Sequence, residues 1–152
     1  MQIRFLYGTE SGNAQMLCED LVAELDGTHD CEIENLADVD PATLGTGAFY
    51  FIVSSTYGNG DLPSTAIPFE TAITTAKPDL TGVRFAVFGL GDQMFADTFN
   101  HGSQRLADMM TEHNAKMIGE RATHDASSLD MPEDIAIPWM QDILEKLTVD
   151  AA

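Results

Sequence analysis

Basic side chains are scarce in this chain, and where they are missing says more than how few there are. Seven Lys and Arg stand against 25 Asp and Glu in 152 residues, a net charge of −18. After Arg4 the next basic residue is Lys77, with twelve acidic residues from Glu10 to Glu70 between them. Such a chain repels phosphate backbones and anionic lipid, which argues against nucleic-acid and membrane-surface functions. A Lys-dependent P-loop is excluded too, because G-x-x-x-x-G-K-[ST] does not occur. Cysteine is nearly absent: Cys18 and Cys31 are too few for a disulfide scaffold and match no metal or redox spacing. Both read as small buried hydrophobes. The four histidines, His29, His101, His113 and His124, lack metal spacing and a nucleophile partner, and His124 beside Asp125 reads as a solvated loop pair. No apolar run nears the roughly 20 residues that span a bilayer. No charged segment leads into an apolar leader, so the expected location is the cytoplasm.

A hydrophobic content of 44% supports a packed core. The length and the lack of linkers or repeats imply a single domain over residues 1–149. Strand and helix signals alternate. Gln2 to Tyr7 reads as a first strand, and Ala14, Leu17, Cys18, Leu21, Val22 and Leu25 recur at helical spacing. Cys31 to Asn35 alternates like an edge strand, and Leu36 to Leu44 reads as loop with one helical turn. Ala48 to Val53 is continuously apolar, as a strand covered on both faces would be. A helix over Ala66 to Ala76, a strand over Val83 to Leu90 and a helix over Gly102 to Glu112 follow. Ala115 to Arg121 is read as a short fifth strand, Thr123 to Met131 as loop, and Pro132 to Leu147 as a last helix. Its apolar face carries Ile135, Trp139, Ile143 and Leu147. The pattern predicts an α/β fold: a doubly wound, five-stranded parallel sheet with helices on both faces.

In such a sheet, ligands bind at the carboxyl ends of the strands. Three loops emerge there: Gly8 to Ala14, Ser54 to Pro63, and Gly89 to Asn100. The first turns a strand into a helix through Thr9-Glu10-Ser11-Gly12-Asn13. Free N–H groups of a first helical turn and the helix dipole favour an anion. The same residues also suit an ordinary helix cap. The other two loops each carry one aromatic, Tyr57 and Phe95, positioned to sandwich a flat ring or to plug the loop bases. A Rossmann site would need G-x-G-x-x-G directly after the first strand, where the sequence reads G-T-E-S-G-N-A. One terminal phosphate fits that turn better than a pyrophosphate. A phospho-acceptor receiver domain is rejected, since the first and third strands end in Tyr7-Gly8 and Ser54-Ser55 instead of in aspartates.

Thr9-x-Ser11-Gly12-Asn13-Ala14 resembles the FMN phosphate loop of flavodoxins. Ser55-Thr56-Tyr57-Gly58-Asn59-Gly60-Asp61 is similar to their second flavin loop, and Gly89-Leu90-Gly91-Asp92 with Phe95 to the third. The second loop is nearest to the FMN domains of diflavin reductases. Asp130-Met131-Pro132-Glu133-Asp134 resembles the MioC-type small flavodoxins, and the short run from Ala115 to Met131 resembles short-chain members. The resemblance implies a flavodoxin-like sheet of order 2-1-3-4-5 and FMN as cofactor. Thr9, Glu10, Ser11, Gly12, Asn13 and Ala14 would bind the phosphate. Thr56, Tyr57, Gly58, Asn59 and Gly60 would line one side and the N5 edge of the flavin, and Gly91, Asp92 and Phe95 the other. Ala14 stands where many members carry Thr, and Phe95 where many carry Tyr. The implied function is a monomeric electron carrier, not an enzyme, moving low-potential electrons one at a time. Its partners would be an NAD(P)H-dependent flavodoxin reductase and acceptor redox enzymes, docking on an acidic rim. The alternative is an FMN-dependent reductase acting directly on a small substrate.

Overall fold

A computed structural model describes residues 2–9, 12–25, 27–55, 65–91, 101–125 and 131–151. The elements are β1 (Gln2–Gly8), α1 (Asn13–Glu24), β2 (Asp30–Asn35), β3 (Phe49–Ser55), α2 (Ile67–Ala76), β4 (Arg84–Gly91), α3 (His101–Glu112), β5 (Lys116–Met117), β6 (Ala122–Asp125) and α4 (Pro132–Ala151). All strand pairs are parallel, in the order β2-β1-β3-β4-β5, with β6 also on β4.

Residue alternation along the strands builds two cores. Ile3, Phe5 and Tyr7 of β1, with Phe49, Phe51 and Val53 of β3, face α1 and α4. Leu6, Tyr50, Ile52, Phe85 and Val87 face α2 and α3. The central strands are apolar on both faces because helices cover both. On the α1/α4 side, Phe5 stacks on Phe51 at 5.1 Å, and Trp139 of α4 meets Phe51 and Phe88 edge-on or tilted at 5.5 Å. The Trp139 indole N–H donates to the Glu120 carbonyl at 3.1 Å, so the partly buried ring packs on the core while its polar atom keeps a partner at the rim.

Three expectations need correction. The fifth strand is not the single run Ala115 to Arg121, and Thr123 onward is not all loop. The described residues hold six strands, because β5 and β6 pair separately with the two ends of β4. Gly119 between them takes φ 71, which turns the chain out of the ladder before it rejoins. His124 therefore lies in a strand and is buried, not solvated. Finally, Leu36 to Leu44 holds two 3₁₀ turns, capped by Asn35 on the Ala37 N–H and Asp40 on the Ala42 N–H.

Candidate functional site

The carboxyl ends of the strands come level in one row. Gly8 of β1 pairs with Ser54 of β3, Ser54 with Gly89 of β4, and Gly89 with Thr123 of β6.

The turn after β1 is held by hydroxyls. Thr9, one residue past the strand, is buried at 7% exposure. Its N–H donates to the Thr65 Oγ1 at 2.7 Å, and the Thr65 hydroxyl donates to the Thr9 carbonyl at 3.2 Å. The Thr9 Oγ1 accepts the Gly12 N–H at 2.7 Å, which leaves its own proton to donate elsewhere. Gly12 occupies the left-handed region at φ 90 and is the N-cap of α1. Its carbonyl accepts the Met16 N–H at 3.0 Å, the first bond of the helix. No side chain among the described residues caps α1. The Thr9 hydroxyl bonds the Gly12 N–H, before the helix, and Gly12 itself is the N-cap. The N–H groups of the first helical turn and the Thr9 hydroxyl proton form a donor set suited to one phosphate. A Cβ at Gly12 would meet nothing within 4 Å, so the space before the helix is open.

Asn13 is exposed on the first turn, and Ala14 is wholly buried within the α1/α4 core. Ala14 thus packs as a core residue and has only its backbone N–H to offer a ligand. Gly91 closes β4 and pairs with Asp125 of β6. Glu10, Ser11, Thr56, Tyr57, Gly58, Asn59, Gly60, Asp92 and Phe95 lie outside the described residues. The described strands β3 and β4 end at the same edge as β1, beside Thr9.

Arg4 is committed further down β1. It bonds the Glu34 carboxylate and the Tyr50 hydroxyl, and its guanidinium lies 5.3 Å from the Tyr50 ring centre. Burial works against its charge, but Glu34 and Tyr50 outweigh burial and hold the Arg4 pKa above the ordinary value. Four residues at about 3.3 Å each separate Arg4 from Gly8, too far to serve the turn. Arg121, between β5 and β6, donates to the Ser103 hydroxyl at 2.9 Å and the Gln104 side chain at 3.1 Å in the first turn of α3. Burial lowers its pKa, against the pull of Asp108. Neither Arg121 nor Thr65 carries a motif signal; both are brought in by contacts distant in sequence. Burial also raises the Cys18 pKa, with the Glu19 charge adding to it, so the thiol on the inner face of α1 stays protonated.

Comparison with known proteins gives a consistent picture. The flavodoxin family profile matches residues 5–139. Protein MioC of Escherichia coli K12 is 31% identical over 138 residues, covering 91% of this chain and 92% of MioC. NADPH-dependent diflavin oxidoreductase 1 of Emericella nidulans is 35% identical over 141 residues, which make up 89% of this chain and 21% of that longer protein. A cysteine-to-serine mutant of flavodoxin from Pseudomonas aeruginosa has the same fold, with a TM-score of 0.82 at 26% identity, over 97% of this chain and 99% of that one.

Proposed function

The chain belongs to the flavodoxin family of FMN-binding electron-transfer proteins, and from that membership we propose that it is a carrier and not an enzyme. It takes electrons from an NAD(P)H-dependent reductase and passes them on to acceptor redox enzymes. FMN, when bound, supplies a ring that accepts and releases electrons one at a time. The protein's part is to bind, orient and tune it.

Thr9, Glu10, Ser11, Gly12, Asn13 and Ala14 hold the phosphate through backbone N–H groups and hydroxyls. Thr56, Tyr57, Gly58, Asn59 and Gly60 flank one side of the ring, and Gly91, Asp92 and Phe95 the other. The observation that carries this reading is the turn itself. Thr9 and Gly12 open a helix whose first N–H groups no described side chain caps. Arg4, the sole cation before Lys77, is spent on Glu34 and Tyr50, so backbone and dipole must serve the phosphate. A single domain over residues 1–149, a monomer in the cytoplasm, docks on partners through an acidic rim, in keeping with the net charge of −18.

Reconstitution with FMN followed by anaerobic reduction tests the carrier reading. The expected course is two separable one-electron steps, with slow NADPH oxidation until a flavodoxin reductase is added. Fast NADPH turnover with a small acceptor and no reductase would instead make the protein an FMN-dependent reductase.

A further inference from the structure

We propose that Thr65 is a positioning residue for the phosphate turn: it fixes Thr9, and through Thr9 it fixes Gly12 and the mouth of α1. The proposal rests on the FMN reading above. Thr65 need not touch the cofactor.

The geometry is a relay of single hydroxyls. The Thr65 Oγ1 accepts the Thr9 N–H at 2.7 Å and donates its one proton to the Thr9 carbonyl at 3.2 Å. Both backbone groups of Thr9 are thereby held by one side chain, 56 residues distant in sequence. Thr9 has just left β1 and is buried, so losing these bonds would leave polar groups stranded away from water. With Thr9 fixed, its own Oγ1 stands where it accepts the Gly12 N–H at 2.7 Å. That bond sets Gly12 at φ 90, ready to start the helix. Each hydroxyl accepts the N–H of the next link, Thr65 Oγ1 that of Thr9 and Thr9 Oγ1 that of Gly12, and the relay ends at the N-cap of α1.

The anchor at the other end is firm. Thr65 stands just before α2, next to fully buried Ala66, and α2 is pinned in the core by Phe69 and Ile73. The β-branched side chain has few χ1 choices, which keeps the hydroxyl on target.

The test compares wild type with Thr65→Val, which keeps shape and removes the hydroxyl, and Thr65→Ser, which restores it. FMN and riboflavin affinities are measured by quenching of flavin fluorescence. Amide exchange at Thr9 and Gly12 is followed in the flavin-free protein. Thr65→Val should weaken FMN by about tenfold, the order expected for one or two lost hydrogen bonds. Riboflavin, which has no phosphate, should be unaffected. Exchange at both amides should quicken, and Thr65→Ser should reverse each effect. Unchanged FMN affinity overturns the proposal, as does a parallel loss for both flavins, or unchanged exchange. Should Thr65→Val not fold, Thr65→Ala is read by the same criteria. A wild type that takes no FMN refutes the flavin reading, while the exchange measurement still decides whether Thr65 holds the turn.

Discussion

Gly12 shows how one residue type is required by backbone shape and not by space. An alanine there would meet no neighbour within 4 Å, yet it would have to adopt φ 90. Forcing a side chain into the left-handed region costs about 1–2 kcal/mol. Gly12→Ala should therefore lower unfolding stability by about that much in urea titration, without any clash. The two cysteines behave as differently as their burial suggests. Cys18 is wholly buried with its pKa raised by burial, while Cys31 is partly exposed. Iodoacetamide should leave Cys18 unlabelled in the native protein at neutral pH and modify it only after unfolding, as peptide mass mapping would show. Ala14 changes standing most. In the sequence it looks like a missing phosphate ligand, a Thr reduced to a methyl. In the fold that methyl belongs to the core.

At the scale of elements, the strands that frame the site are the ones written plainly in the sequence. β3 and β4 are nearly continuous apolar runs, β1 is apolar but for Arg4 in its middle, and α1 announces itself by periodicity, because each buries a face that must be hydrophobic. The split fifth strand is not legible. Ala122–Asp125 has no apolar run, and it becomes a strand because the edge of β4 is there to pair with. The turn between β5 and β6 should be sensitive. A Cβ on Gly119 would sit 2.4 Å from the Ile143 Cδ1, at φ 71. Strain and overpacking together should make Gly119→Ala cost about 2–4 kcal/mol by chemical denaturation. A milder effect is expected where the α2–β4 connection meets the end of α3. The Thr81 hydroxyl, the Asn114 amide and the Thr81 N–H all donate to the Asp79 carboxylate and hold its pKa below the usual range. Because the folded value is the lower one, this stabilisation is complete above the unfolded pKa and fades as pH falls through the folded value. Asn114→Ala should move the Asp79 titration upward, seen by carboxyl NMR. The contact of Thr65 with Thr9 has the same character as the β6 pairing: it depends on two segments meeting, and no local pattern in either announces it.

Over the whole molecule, charge is the dominant property. A net charge of −18 with Arg4 and Arg105 already paired to Glu34 and Glu70 leaves a strongly negative exterior. Electron transfer with a basic partner should slow steeply as salt rises, since screening acts within about 10 Å at 0.1 M. The same charge makes the proposed phosphate turn informative, because a dianion bound there would be held by backbone, hydroxyls and a helix dipole against that background. Titration of the flavin-free protein with FMN, followed by flavin fluorescence, addresses this directly. Saturation is expected at one FMN per chain, with riboflavin bound markedly more weakly for want of the phosphate. Failure to saturate, or equal affinity for the two flavins, would contradict the proposed phosphate turn.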